Sequence, residues 1–429
     1  MNLISGELMN HEQSLERLKY LNESICKTYS GNEITTDKII SACDELSGKL
    51  NEAEHLPLLL GLGMSKRKAC EELVLVKQIM SRTYLEERIK IELGMDPEGQ
   101  VQFIPYGGTN AVAQEWKPLG VLLHIAAGNV DALPVFSVIE GLLAGNINIL
   151  KLPGADDGLS IAILQELIKI YPLIAEYVYV FDYPSEDIES IKLMADAADA
   201  IVVWGGDSVV KAVRGMAKQD TRIIEWGHKI SFAYVSGRDI PDESLEGIAY
   251  NICDTNQMFC NSCQGIFLNT DDFGVVKQFA ERFIKILDKV AGASPLADNP
   301  LLDAKKTLEI CVEELESLKM SKKVFRTENC SIIASDDSLL EISYMFRNCW
   351  IKPLPQKNIL FELLKYKNHL QTVALVCEED NREILESLLL KTGIVRITSG
   401  QNMSKSYCGI PHDGEFPLNR YMKRVSFEY

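Results

Sequence analysis

The chain of 429 residues has room for about two or three domains around a large buried core, which excludes a peptide or a lone binding module. Its 46% hydrophobic and 24% charged residues exclude a disordered or collagen-like protein, and 61 Asp+Glu against 44 Lys+Arg, a net charge of −17, leave no general attraction for nucleic acid or an anionic membrane. Eleven cysteines, scattered from Cys26 to Cys408 without framework spacing, suit reduced thiols and a cytoplasmic setting better than a disulfide scaffold.

Residues 1–10 include Glu7 and no basic region followed by an apolar run, so no signal peptide is read there. About ninety residues rich in Leu, Glu and Lys follow, and Leu15, Leu18, Leu21 and Ile25 recur at helical spacing, predicting an N-terminal helical layer. Residues 119–125 form a short apolar run, followed by the turn Ala126-Ala127-Gly128-Asn129, a helical stretch over 133–144 and a second apolar run over 146–152. The most apolar stretch, 134–150, is interrupted by Glu140, Asn146 and Asn148 and falls short of the roughly 20 apolar residues of a membrane span. Helices are predicted over 158–170 and 185–195 and after Gly205-Gly206, with strands at 177–181 and 199–204. This alternation predicts a parallel sheet covered by helices. Strands at 230–235 and 265–268, then strand, helix and strand at 372–376, 380–390 and 394–398, predict a second α/β domain. The tail 399–429 mixes Gly, Pro, His and aromatic residues without a clean period and reads as an arm or interface segment rather than a core element.

The dinucleotide fingerprint G-x-G-x-x-G is missing; Gly61-Leu62-Gly63 lacks the third glycine and a preceding strand and reads as a plain turn. Asn129 stands where open α/β sheets place ligands, either as an amide donor or as a helix cap. Lys151 ends a buried run, either binding ribose or phosphate or snorkelling at a strand end. Gly205-Gly206 lets backbone approach a ligand at a helix N-terminus. Cys260 lies in a polar turn, where a thiol is either a partly exposed nucleophile or a small buried residue. Cys260-x-x-Cys263 has no second pair to complete a zinc site and no thioredoxin-like context, so no metal is expected.

Taken in order, Asn129, Lys151, Gly206, Glu225 and Cys260 resemble the aldehyde dehydrogenase superfamily, and within it the acyl-CoA reductase branch typified by the fatty acid reductase of bacterial luminescence. The run from Pro118 through Ala127-Gly128-Asn129 to Lys151 is similar to the superfamily's Asn turn and lysine-proline signature. Glu225-Trp226-Gly227-His228-Lys229 resembles its glutamate-leucine-glycine-glycine-lysine motif, with His228 where most members have glycine. Asn256-Gln257-x-x-Cys260 resembles its nucleophile motif, and the stretch from Pro411 to Leu418 is similar to the reductase branch's ending.

The resemblance implies an α/β fold of the aldehyde dehydrogenase type, with two α/β domains with parallel sheets, an N-terminal helical layer and a C-terminal arm. It divides the chain into a helical and nucleotide-binding part, 1–225, a catalytic domain, 226–398, and the segment 399–429. The implied activity is NADPH-dependent reduction of an acyl thioester, acyl-CoA or acyl-protein, to the aldehyde. In it Cys260 attacks the carbonyl and Asn129 and the Cys260 N–H hold the oxyanion, while Glu225 is either a proton shuttle or a survivor of the motif. Ala127, Gly128, Lys151, Gly205 and Gly206 are the implied cofactor-binding residues. No acid follows closely on Lys151 in sequence to hold an adenosine ribose, which favours NADPH over NADH. The branch commonly works beside an acyl-protein synthetase, and the resemblance together with the irregular tail favours a homo-oligomer. Two other readings stay open: a non-acylating aldehyde dehydrogenase in which Glu225 activates water, and a non-catalytic acyl-carrying subunit of a multienzyme complex.

Overall fold

A computed structural model describes residues 1–53, 56, 66–94, 99–108, 110–126, 133–154, 158–237, 239–294, 296, 300–317 and 321–428. The glycine turn at 61–63 and the turn Ala127-Gly128-Asn129 lie outside the described residues. The chain divides into two compact units, residues 1–227 with 407–429, and residues 228–406.

The first unit begins with a hairpin absent from the sequence reading, β1 (Asn2–Ile4) and β2 (Glu7–Met9). Its two turn residues, Ser5 at φ 51° and Gly6 at φ 79°, take the left-handed conformations that a tight hairpin requires. The helical layer follows as α1 (His11–Lys19), α2 (Leu21–Tyr29), α3 (Thr36–Lys49), α4 (Lys66–Ile79) and α5 (Arg82–Leu93). Asn10 and Gln13 form a reciprocal capping box at the start of α1. Leu18, Leu21 and Ile25 are buried along one side even though the helix breaks at Tyr20. Then come β3 (Gln100–Phe103), β4 (Val112–Pro118), β5 (Val121–Ile125), α6 (Leu133–Leu143), β6 (Ile147–Lys151), α7 (Leu159–Ile170), β7 (Val178–Phe181), α8 (Ile188–Ala197), β8 (Ala200–Trp204), α9 (Asp207–Met216) and β9 (Arg222–Trp226). Strands β6 and β7 are buried at every residue, as expected of parallel strands covered on both faces. The sheet order is β2-β1-β7-β6-β5-β8-β9. Strand order therefore reverses between β5 and β8, and the carboxyl ends of these two strands open the crevice where such sheets bind ligands.

The second unit contains β10 (Ile230–Ser236), α10 (Asp242–Thr255), β11 (Cys263–Leu268), α11 (Phe273–Ala293), α12 (Pro300–Glu316), β12 (Lys322–Arg326), β13 (Ser331–Ser335), β14 (Asn348–Pro353), α13 (Ile359–Leu363), β15 (Leu370–Cys377), α14 (Glu379–Lys391) and β16 (Arg396–Thr398). Its order is β12-β13-β14-β11-β10-β15-β16, parallel throughout apart from the β12–β13 edge. Side chains of β10 alternate between two cores. Ala233 and Val235 pack with Ile248, Ile252, Phe283 and Leu287 from α10 and α11, whereas Phe232 and Tyr234 pack with Ile359, Leu363, Leu385 and Leu389 from α13 and α14.

The last segment returns to the first unit as α15 (Pro417–Tyr421) and β17 (Met422–Glu428). Strand β17 joins β4 and β3 in a three-stranded antiparallel sheet. Leu418, Tyr421 and Met422 belong to the core of that unit, so at these positions the tail is a core element, where the sequence reading has an arm or interface segment. Sequence periodicity misses this because five helical residues are too few to show a period. Among the described residues no helix is long and apolar enough to cross a membrane.

Candidate active site

In the first unit, Lys151, Gly205, Gly206 and Glu225 all fall at the carboxyl edge of the sheet, at or next to the ends of β6, β8 and β9. Lys151 is 4% exposed, and its Nζ donates to Ser185 Oγ at 3.1 Å. Burial lowers the pKa of its ammonium, an effect opposed by the nearby carboxylates of Asp182 and Glu186. No acid follows Lys151 closely in sequence, yet the fold brings two beside it. The two carboxylates lie more than thirty positions away in sequence but are carried in by β7, which runs beside β6. Gly206 precedes α9, and a Cβ added there would meet nothing within 4 Å. Bare backbone is thus exposed at a helix N-terminus beside the crevice. Glu225 Oε1 accepts from the Arg214 guanidinium at 2.5 Å, so its carboxylate ties β9 to α9. Trp226 stacks on Trp204 with ring centroids 5.4 Å apart, and His412 packs edge-on against both rings.

A buried polar chain runs beneath this edge. His124 on β5 is fully buried, with Nδ1 at 2.7 Å from Ser137 Oγ and Nε2 at 3.0 Å from Asn148 Oδ1. Asn148 Nδ2 donates to the Asn146 carbonyl, which leaves Oδ1 to accept and places the imidazole proton on Nε2. Nδ1 then accepts from Ser137, whose oxygen in turn accepts from Trp204 Nε1 at 3.2 Å. Asn146 continues the chain by donating to the Tyr421 carbonyl. Burial drives the His124 pKa from its ordinary 6.5 down to about 4.

In the second unit, Cys260 lies in the loop joining α10 to β11, at the amino-terminal edge of the sheet. Helix α10 stops because Asn256 (φ 47°) and Gln257 (φ 62°) are both left-handed, a conformation costing a non-glycine residue about 1–2 kcal/mol. The buried Gln257 side chain holds this turn. Its Nε2 donates to the Cys263 carbonyl and to Ser343 Oγ, and its Oε1 accepts from the Arg347 N–H. Arg347 itself closes a second left-handed run with Met345 and Phe346, and the Phe346 N–H donates to the Asn256 carbonyl.

Within this frame Cys260 is half-buried; its carbonyl accepts from Ser231 Oγ at 2.6 Å and its Sγ from Gln371 Nε2 at 3.2 Å. Cys263, three residues on, is fully buried, donates to the Gly265 carbonyl, and has its thiol pushed up to about 12 by burial. The two cysteines of the C-x-x-C pattern are therefore chemically distinct, the first reachable and the second sealed. Among the described residues no group of three or more His, Cys, Asp or Glu is arranged to hold a metal ion.

Comparison with known proteins puts a family to this arrangement. A model of the acyl-CoA reductase (LuxC) family matches residues 32–424. The chain belongs to the acyl-CoA reductase (LuxC) family. Members similar to it include long-chain acyl-protein thioester reductase 2 of Photobacterium leiognathi, 25% identical over 72% of this chain and 64% of the relative, so slightly under two thirds of that relative is spanned. The long-chain acyl-protein thioester reductase of Aliivibrio fischeri is 22% identical over 99% of this chain and 92% of its own length. Among solved structures, a betaine aldehyde dehydrogenase from Staphylococcus aureus in complex with NAD+ is 13% identical, with TM-score 0.72, 100% of this chain and 92% of that chain covered. The chain thus has the aldehyde dehydrogenase fold.

Sequence reasoning passed over Gln257, although it stands in the motif itself, and over Ser231, Asp182, Glu186 and Gln371. The last four act across neighbouring strands, where a single sequence carries no signal.

Proposed function

We propose that this reductase takes a long-chain acyl group from a thioester and releases it as the aldehyde, with Cys260 as the acyl acceptor and a reduced nicotinamide dinucleotide as the hydride source. The observation that carries the reading is the half-buried Cys260 on a strained, tightly held loop, beside a second cysteine that is sealed off. The similarity to long-chain acyl-protein thioester reductases supports this substrate class. An acyl-protein thioester delivered by a synthetase partner is the proposed physiological donor, and acyl-CoA the small-molecule equivalent.

The Cys260 thiolate attacks the thioester carbonyl, the carrier departs as a thiolate that takes up a proton, and an enzyme thioester remains. Asn129 and the Cys260 N–H are the proposed oxyanion donors, each worth about 2.7–4 kcal/mol to the transition state. The nicotinamide, when bound, supplies the hydride that reduces the enzyme thioester. Collapse of the protonated thiohemiacetal then breaks the C–S bond, frees the aldehyde and returns Cys260 to its starting form. Within the first unit, which we take as the nucleotide-binding part, the open backbone at Gly206 and the ammonium of the buried Lys151 fit a dinucleotide's phosphate and ribose. The residues that follow Lys151 in sequence favour NADPH, whereas Asp182 and Glu186 beside its ammonium favour NADH, and turnover with each cofactor separates the two. Glu225 is committed to Arg214, which supports an anchoring role over water activation and speaks against the non-acylating dehydrogenase.

The test is intact mass spectrometry after incubation with a long-chain acyl-CoA, followed by addition of reduced nicotinamide. The wild type gains one acyl group, which NADPH or NADH discharges as aldehyde, and Cys260→Ala gains none. Acylation or turnover retained by Cys260→Ala overturns the assignment.

A further inference from the structure

Three adjacent strands of the second unit, β11, β10 and β15, are out of step at one level. Between β10 and β15, Ile230 pairs with Leu370 and Phe232 with Val373, so two residues, Gln371 and Thr372, stand opposite Ser231 alone. Between β10 and β11, Ser231 pairs with Cys263 and Ala233 with Ile266, so β11 also carries one extra residue. The cores show the same slip. Leu370 and Val373, three apart, share one face, and Cys263 and Ile266, three apart, share the other. Bulges of this kind cluster beside active sites because they turn a side chain out of the regular alternation.

Ser231 is the pin between them: its Oγ donates to the Cys260 carbonyl at 2.6 Å and accepts from the Thr372 N–H at 3.0 Å. One residue of β10 therefore fixes both the nucleophile loop and the bulged segment of β15. The side chain turned out by that bulge, Gln371, is 7% exposed and places Nε2 at 3.2 Å from Cys260 Sγ. An amide N–H can only donate, and sulfur accepts far better as a thiolate than as a thiol.

We propose that Gln371 is a catalytic residue that donates its amide hydrogen to the Cys260 sulfur, favouring the thiolate that attacks the thioester and the same thiolate when it leaves the thiohemiacetal. This rests on the reading of Cys260 as the acyl acceptor. The donor is desolvated and fixed by strand register, so it needs no reorganisation as charge appears on sulfur.

The experiment measures alkylation by iodoacetamide, resolved by peptide mass spectrometry, and single-turnover acylation by a long-chain acyl-CoA, in the wild type, Gln371→Met and Gln371→Glu. The sealed Cys263 in the same peptide is the internal control. Methionine keeps the volume and removes the donor, so both rates at Cys260 fall about ten- to a hundredfold, the worth of one hydrogen bond to a charged group. Glutamate sets a carboxylate against the sulfur and slows both rates further. Wild-type rates in a folded Gln371→Met, or faster alkylation in Gln371→Glu, overturn the proposal and leave Cys260 as the acceptor. An acyl group found on wild-type protein at another residue overturns the reading of Cys260 instead.

Discussion

The buried His124 makes the stability of the first unit fall as acidity rises. Its ring is neutral in the fold, with Nε2–H on Asn148 and Nδ1 accepting from Ser137, and its pKa falls from 6.5 to about 4. Above about pH 6.5 folded and unfolded chains both carry the neutral ring, and the stabilisation is complete. As the pH drops through that value the unfolded chain binds a proton that the folded chain refuses, and stability is lost until the folded ring also titrates near pH 4. Linkage for one such site gives a loss of about 2 kcal/mol between about pH 7 and about pH 5, and about 3 kcal/mol by about pH 4. His124→Gln removes the titration and keeps a polar side chain within the network. Deuterium exchange of peptides from β5 and β6 reads the opening free energy of this sheet locally. The wild type should lose about 2 kcal/mol more than His124→Gln over that pH range, while other titrating groups cancel in the difference. Parallel pH dependences, within about 0.5 kcal/mol, would refute the reasoning, because the ring would then be protonating inside the fold.

Two further outcomes follow from packing. Arg88 pairs with the buried Glu92 and the largely buried Glu140, and burial raises the Glu140 pKa; Arg88→Met strands both carboxylates and should cost about 3–5 kcal/mol at neutral pH in urea unfolding, with part regained on adding Glu140→Gln. A change below about 1 kcal/mol would show that water already solvates the pair. Gly265 on β11 lies against the Trp350 ring, where an added Cβ would fall 2.1 Å from Cδ2; Gly265→Ala should therefore cost at least about 1–3 kcal/mol and lower the thermal midpoint, and an unchanged midpoint would contradict that contact.

How far the sequence announces this architecture depends on whether the signal is local. Strands β5 to β8 are legible because each is an apolar run closed by turn residues, and their ends shift by only a residue or two in the structure. The hairpin at Ser5-Gly6 carries a local turn signal, but its three-residue strands are too short to show alternation. The bulges at Gln371 and Gln264 leave no mark in one sequence, since register belongs to a pair of strands. Gln371 reaches Cys260 from 111 positions away. The acids beside Lys151 arrive by a similar route, just past the end of the neighbouring strand β7. Cys260, the proposed acyl acceptor, stands out in the sequence by the polarity of its loop, whereas what surrounds its sulfur does not.

Strand β17 closes against β4, bringing together Gln114 and Ser426, which are 312 positions apart. During synthesis, the intervening second unit leaves the ribosome before the first can be finished. Until residues 417–428 arrive, the sites that receive Leu418 and Tyr421 are open to water, and the nascent first unit offers a hydrophobic cleft of the kind holdase chaperones bind. A late frameshift would therefore be sensed as misfolding, even though it spares every residue from Lys151 to Gln371.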